Sequence, residues 1–253
     1  VLLCLILPPI LSSQASLTVA VRAALAASAI PPVDRQAIEA RIAARPARFD
    51  SLLRAALADD AADPMLLALV DKKVLLPESY VPPDLMPLDD SGIAVTYAGH
   101  KLRAAARRAL LVMAKAARKD GIELVVGSAY RSYAYQKQVF AREVQLYGEE
   151  QAERESAHPG ASQHQLGLAL DFSPIDDVFA ETKASRWLSL HARAYGFSLS
   201  YPKGGEAVTG YRWESWHYRF IGIAAAALEG EFFGGMQQYL IEFLEAYRGD
   251  RKQ

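Results

Sequence analysis

The stretch SQHQLGLALD, residues 162–171, decides most about how this chain folds. From Gly167 to Phe172 the chain is mostly apolar, and Gly167 and Ala169 are small. This is typical of a buried strand that another backbone approaches closely. His164 and Asp171 are seven residues apart, and side chains an odd number of residues apart point to opposite faces of a strand. We therefore expect Asp171 on the strand and His164 in a loop or bulge before it. A carboxylate in such an apolar strand needs a partner or a metal ion.

A second segment, ESWH at residues 214–217, supplies a further carboxylate and a further histidine. Glu214 and His217 are three residues apart, which predicts a tight turn and not a flat strand. With His164 and Asp171, His217 completes two imidazoles and one carboxylate, the ligand set of a catalytic zinc centre with one position open for water. Apolar neighbours would raise the pKa of Glu214, which suits a general base. The pattern favours metal-dependent hydrolysis.

The same residues also have structural interpretations. A histidine near an apolar strand is more often hydrogen bonded than metal bound, and this holds for His164 taken alone. Glu214 has the alternative of an ion pair with Arg212 or Arg219. A buried Asp171 is harder to explain in this way. The set as a whole therefore favours the metal site.

Four blocks of sequence carry a resemblance to a known family. They are LPESYVPPDL at 76–85, SAYRSY at 128–133 with Gln136, PGASQHQLGLALD at 159–171, and TGY at 209–211 followed by ESWHYR at 214–219. In this order they resemble the VanY-like D-alanyl-D-alanine carboxypeptidases, zinc peptidases that act on bacterial cell-wall peptides. The resemblance spans the chain from Asp71 to Gly222. At two positions the chain differs from the usual family pattern: Ala129 replaces a glycine and Gln163 replaces an acidic residue.

The resemblance implies a role for each site residue. The implied zinc ligands are His164, Asp171 and His217. The implied catalytic residues are the base Glu214 and Arg131, whose planar, permanently charged guanidinium would polarise the scissile carbonyl or hold the terminal carboxylate. The implied substrate contacts are the polar groups of Ser128, Gln136 and Ser162.

The implied activity is removal of the C-terminal D-alanine from peptidoglycan stem peptides by attack of metal-activated water. Glu214 would accept the proton of this water and pass it to the leaving amine. The same zinc site would also serve an L,D-carboxypeptidase, a dipeptidase or a peptidoglycan endopeptidase, because pocket shape sets that choice. A further alternative is a non-catalytic peptidoglycan-binding module, which would have no use for Glu214.

The composition and net charge limit the classes of partner that we expect. The chain has 253 residues and a formal net charge of -1, and its hydrophobic content of 51% is that of an ordinary globular protein. It has no basic excess and no glycine-rich phosphate loop, so we expect no nucleic-acid partner. We expect a monomer.

The first residues have the character of a targeting segment. Val1 to Leu11 is an apolar run too short to span a bilayer by itself. Small residues precede a cleavage position near Ala15, so we interpret residues 1–15 as a signal-peptide remnant, with an uncleaved membrane anchor as the alternative. This segment and the implied substrate predict export to the periplasm or cell envelope of a bacterium. The only cysteine of the chain, Cys4, predicts no internal disulfide.

The pattern of elements predicts an α+β fold with a small antiparallel sheet flanked by helices and an N-terminal helical extension. Residues 16–70 are alanine-rich and helical, with prolines at 31–32, 46 and 64. Residues 71–247 are expected to form the zinc peptidase catalytic domain. In it we predict helices at 102–118, 133–147, 187–195 and 234–247, and strands at 123–128, 167–172 and 216–220.

Overall fold

The N-terminal part of the chain forms three helices in a computed structural model, which describes residues 11–89 and 91–250. They are α1 (Leu11–Ala27), α2 (Pro32–Ala44) and α3 (Pro46–Ala62). Proline is the first helical residue of both α2 and α3, where its missing N–H would lack an intrahelical partner in any case. Two of the prolines that interrupt the predicted extension, Pro32 and Pro46, therefore mark the starts of helices.

None of the helices in residues 11–89 and 91–250 is long and apolar enough to cross a bilayer. Most of the predicted signal remnant, residues 1–10, lies outside the described part of the chain. The division into residues 16–70 and 71–247 stays a prediction.

Short strands alternate with helices through the rest of the chain. The strands are β1 (Leu85–Pro87), β2 (Ala94–Val95), β3 (Lys101–Arg103), β4 (Val125–Ser128), β5 (Ala169–Phe172), β6 (Phe197–Leu199) and β7 (His217–Phe220). The helices are α4 (Ala104–Lys119), α5 (Tyr133–Tyr147), α6 (Glu149–Glu155), α7 (Lys183–His191), α8 (Glu206–Thr209), α9 (Ile223–Phe232) and α10 (Gln237–Asp250). The predicted α+β class with its N-terminal helical region is confirmed.

The main sheet has the strand order β2-β4-β5-β7-β6, and β1 and β3 form a separate pair. Its pairs are antiparallel except for β2 and β4, which run parallel at one edge. Ser128 of β4, Asp171 of β5 and His217 of β7 are register partners across three neighbouring strands. Directly opposed residues share one face of a sheet, with Cβ atoms about 5 Å apart. The register therefore brings two predicted metal ligands together.

The N-terminal helices share the hydrophobic core of the sheet. Helix α1 packs against α10, and α3 packs against α9. Arg219 of β7 is fully buried and donates from Nη2 to the carbonyls of Leu66 at 3.0 Å and Ala68 at 2.9 Å. The segment that follows α3 is therefore fixed directly to the strand that carries His217.

Most predicted elements are present, with shifted ends. The helix predicted at 133–147 is α5 and has the same bounds. Helix α4 starts later than predicted because Lys101–Arg103 is committed to pairing with β1. Helix α10 starts later because Gly234 and Gly235 have φ values of 67° and 76°, outside the helical region.

Candidate metal centre

His164 lies in a 3₁₀ turn, Gln163–Leu166, directly before β5. The hydroxyl of Ser162 accepts the backbone N–H of His164 at 3.3 Å and so caps the start of the turn. Gly167 ends the turn with a φ of 68°, and a Cβ at this position would lie 2.9 Å from atoms of two other side chains. The chain thus turns tightly between the two predicted ligands, with His164 before the strand and Asp171 on it, as the sequence predicts.

The three predicted ligands present their donor atoms to one point. His164 Nε2 lies 3.1 Å from Asp171 Oδ2, and His217 Nδ1 lies 3.0 Å from Asp171 Oδ1. One donor atom from each residue falls within 4.8 Å of the others. The two imidazole rings are nearly perpendicular, at 88°. All three residues are buried.

The hydrogen bonds of these residues test whether they fit a metal ion. His164 Nδ1 donates to the carbonyl of Ala129 at 2.7 Å. A neutral imidazole has one N–H, so Nε2 carries a lone pair that faces the carboxylate of Asp171. Asp171 Oδ1 is buried and makes no hydrogen bond, although His217 Nδ1 is close to it. Lone pairs that converge without a hydrogen between them are stabilised by a cation, and two imidazoles with a carboxylate fit zinc.

The charges at this point favour the metal-binding protonation states. Burial and then the positive charge of Arg131 lower the pKa of His164 to about 4, so its imidazole is neutral at neutral pH. Burial by itself would raise the pKa of Asp171, but His164 and Arg131 outweigh it and hold this pKa well below its usual range. A neutral imidazole and an ionised carboxylate are the forms that bind a divalent metal ion.

Glu214 lies beside this cluster and not in it. It sits in a turn closed by the His217 N–H on the Glu214 carbonyl at 3.4 Å, as the three-residue spacing predicts. Its Oε2 is 3.6 Å from His217 Nδ1. Burial, and then the negative charge of Asp171, raise the pKa of Glu214 well above its usual value. A carboxyl group with a raised pKa is a better proton acceptor near neutral pH.

The alternative ion pairs of Glu214 are excluded by where the arginines lie. Arg212 binds Glu155 at 2.9 Å and Asp177 at 2.6 Å. Arg219 donates to backbone carbonyls on the N-terminal side of the chain. The structural interpretation of Glu214 from the sequence is therefore wrong.

Arg131 is held at the edge of the cluster by the other predicted polar residues. Its Nη2 donates to Asp171 Oδ2 at 2.5 Å, and its Nε donates to Ser128 Oγ at 2.9 Å. Its Nη1 donates to Gln136 Oε1 at 3.4 Å, and Gln136 in turn donates to the carbonyl of Ala157 at 2.7 Å. Three of the five guanidinium N–H groups are used in this way, which fixes the plane of the side chain.

A cavity of about 340 Å³ opens onto the cluster. Arg131, Gln136, Ser162 and Glu214 line it together with the three candidate ligands. Ser128 is not among the lining residues, so the structure gives it a bond to Arg131 and leaves its predicted substrate contact untested. Sequence reasoning did not assign the remaining wall, which includes Tyr147, Tyr201, Tyr211, Arg212 and Trp216. Tyr211 and Trp216 fall in the segments that carry the family resemblance, and that was the available signal.

Comparison with known proteins gives the family. The family model described as VanY, D-alanyl-D-alanine carboxypeptidase, matches residues 99–223. A variant of the vancomycin-resistance D,D-pentapeptidase VanY, solved in complex with Zn(II), is 31% identical to this chain with a TM-score of 0.56, and the match covers 65% of this chain and 93% of that one. The chain belongs to the VanY family. The resemblance seen in the sequence is confirmed.

Other VanY-like relatives differ in the bond they cut. The LD-carboxypeptidase LdcB, whose solved structure describes peptidoglycan recognition, is 37% identical with a TM-score of 0.62, and the match covers 71% of this chain and 86% of that one. The protein YodJ of Bacillus subtilis (strain 168) is 40% identical over 168 residues, 64% of this chain and 62% of the relative. The match thus spans less than two thirds of that relative. Family membership sets the class of enzyme but leaves the choice of peptide bond open.

Proposed function

We propose that this protein is a zinc-dependent D-alanyl-D-alanine carboxypeptidase that removes the C-terminal D-alanine from peptidoglycan stem peptides. The observation that carries the proposal is the convergence of His164 Nε2, His217 Nδ1 and the two oxygens of Asp171 on one point. Glu214, buried beside them in the same cavity, supplies the base that a hydrolase needs. Membership of the VanY family supports the assignment as a carboxypeptidase.

His164, Asp171 and His217 would hold the zinc ion. When bound, zinc makes water a stronger nucleophile and stabilises negative charge on a carbonyl oxygen. Glu214 takes the proton that the water releases, because burial gives its carboxyl group a raised pKa. It then delivers this proton to the amine of the departing residue. Asp171 stays ionised throughout, since the positive charge of Arg131 at 2.5 Å favours its carboxylate form.

Arg131 is the group that orients the substrate. Its bonds to Ser128, Gln136 and Asp171 fix the guanidinium plane and leave two N–H groups for a ligand in the cavity that it lines. A planar fork of this kind binds a carboxylate or a polarised carbonyl oxygen in a defined direction. We infer that it receives the terminal carboxylate or the scissile carbonyl, and that Ser128 acts on substrate only through it.

Removal of a D-alanine from a tetrapeptide, the L,D-carboxypeptidase reaction, is the second candidate. The observation that favours it is the similarity to the LD-carboxypeptidase LdcB. The metal ligands and the base would serve both reactions equally. The choice depends on which residue of the stem peptide precedes the cleaved bond and how the cavity wall receives it.

Product analysis on defined peptides separates these reactions. The zinc-loaded protein is incubated with stem pentapeptide and with stem tetrapeptide, and the products are identified by mass spectrometry. Loss of one D-alanine from the pentapeptide alone supports the proposal, and loss from the tetrapeptide alone moves the assignment to an L,D-carboxypeptidase. The variant Glu214→Gln is expected to be inactive. The variant Glu245→Gln, at an exposed position of α10, is the matched control. Cleavage of neither peptide by metal-loaded protein would contradict both.

We also propose that the protein works in the bacterial cell envelope, because peptidoglycan lies outside the cytoplasmic membrane. The predicted signal-peptide remnant, residues 1–15, is the sequence feature that supports export. Fractionation of cells that produce the whole gene product tests this, and recovery in the cytosolic fraction alone would contradict it. Anchoring by an uncleaved N-terminus and a monomeric state stay predictions.

A further inference from the structure

A chain of buried polar side chains lies behind His217. Gln163 Oε1 is 3.3 Å from His217 Nε2 and also accepts the hydroxyl of Ser200 at 2.7 Å. The amide nitrogen of Gln163 donates to Gln237 Oε1 at 3.3 Å. Gln237, only 1% exposed, is the first residue of α10 and donates in turn to the carbonyl of Ser198 at 3.4 Å. Residues far apart in sequence thus meet at one metal ligand.

The direction of this chain is fixed at its far end. A backbone carbonyl only accepts, so Gln237 must turn its nitrogen to Ser198 and its oxygen to Gln163. Gln163 must then turn its own nitrogen to Gln237. Its oxygen therefore faces His217 at 3.3 Å, and an acceptor oxygen at this distance favours an N–H on the imidazole over a second lone pair. The N–H of a neutral His217 consequently lies on Nε2, and the lone pair lies on Nδ1.

This direction decides which tautomer of His217 is stable. In the opposite tautomer, His217 Nδ1, which lies 3.0 Å from Asp171 Oδ1, would carry the hydrogen in place of its lone pair. His217 would then offer the metal ion no lone pair on the side of Asp171. Gln163 opposes this form because its oxygen would face a second lone pair on Nε2. The amide therefore holds the imidazole in the form that binds metal.

We propose that Gln163, supported by Gln237, is a positioning residue that keeps His217 in its metal-binding tautomer, which makes the start of α10 part of the metal centre. Partners of this kind are worth roughly 10- to 100-fold in metal affinity. A neutral amide does this here at a position where the sequence pattern of the family usually has an acidic residue. The inference rests on the metal centre and not on which peptide bond is cut.

Zinc affinity measured by competition with a chelator tests the inference. Gln163→Met keeps the length of the side chain but removes the acceptor, so the Kd for zinc is expected to rise roughly 10- to 100-fold. Gln163→Glu keeps an acceptor for Nε2 and is expected to bind zinc at least as tightly as the unmodified protein. Gln237→Met removes the support of Gln163, together with the bonds of Gln237 to Ser198 and Ser200, but leaves the acceptor for Nε2 in place, so it is expected to weaken binding less, by several-fold. Equal zinc affinity in Gln163→Met and the unmodified protein would overturn the inference.

Two measurements separate positioning from a general loss of structure. The visible spectrum of the cobalt-substituted protein reports the geometry of the ligands and is expected to change in Gln163→Met but not in Gln163→Glu. Nitrogen-detected NMR of the unmodified, zinc-loaded protein reports the His217 tautomer without any substitution. It therefore tests the inference even if a variant does not fold. We expect a proton on Nε2 and metal on Nδ1. A proton on Nδ1 would refute the inference, and a protein that passes both tests but cleaves no stem peptide would refute only the proposed function.

Discussion

Replacing Glu214 by glutamine tests the assignment of the catalytic base, because glutamine keeps the shape of the side chain but cannot accept a proton. A positioned general base contributes about 10²- to 10⁴-fold in rate. At about 1.36 kcal/mol for each tenfold change, this equals about 2.7–5.4 kcal/mol of barrier. The structure favours the upper part of this range because the neighbouring carboxylates are occupied. Asp171 is held by Arg131, and Glu155 is paired with Arg212.

The assay is the release of D-alanine from stem pentapeptide under saturating substrate, with zinc affinity measured in parallel. We expect kcat of Glu214→Gln to fall at least 100-fold, while the Kd for zinc changes much less, because the carboxylate lies beside the ligands and 3.6 Å from His217 Nδ1. Glu245→Gln should match the unmodified protein in both measurements. A kcat within tenfold of the unmodified value would show that another group accepts the proton. Loss of zinc instead of rate would make Glu214 a ligand.

Other substitutions probe the ligands, the arginine and the turn. Asp171→Asn should weaken zinc binding by more than about 100-fold, because even outer partners of a ligand are worth roughly 10- to 100-fold, and chelator competition measures this. Arg131→Lys cannot keep the bonds to Ser128 and Asp171 together, and loss of one charge-assisted hydrogen bond, worth about 1.5–3 kcal/mol, should lower kcat/KM about 10- to 150-fold in steady-state assays. Gly167→Ala should destabilise the protein by about 2–5 kcal/mol in urea unfolding, since about 1–2 kcal/mol of left-handed strain adds to about 1–3 kcal/mol of crowding. Gly121→Ala, with a φ of 74° and open space around it, is the matched control and should show the strain alone.

Local chemistry made much of the fold predictable. Proline at positions 32 and 46 begins helices because its fixed φ suits a first turn, and these starts were readable from the sequence. The apolar run with a carboxylate in it predicted a strand that carries Asp171. The spacing of Glu214 and His217 predicted their turn. In each case the decisive interaction lies within a few residues along the chain.

The remaining features depend on contacts between distant segments. Arg131 reaches Asp171 because β4 pairs with β5 in one register, which the sequence does not specify. Gln163 meets His217, 54 residues away in sequence, in a buried space to which α10 also brings Gln237. The substitution of an amide for an acidic residue was visible in the sequence, but its partners were not.

We propose that the site formed by His164, Asp171 and His217 hydrolyses D-alanine-terminated peptides with zinc. The most direct test is a zinc titration of the metal-free protein in the presence of stem pentapeptide, with D-alanine release followed at each zinc level. The account predicts no release without metal and a linear rise that ends at one zinc ion per chain. Release from the metal-free protein, or no release at any zinc level by protein that binds the ion, would contradict it.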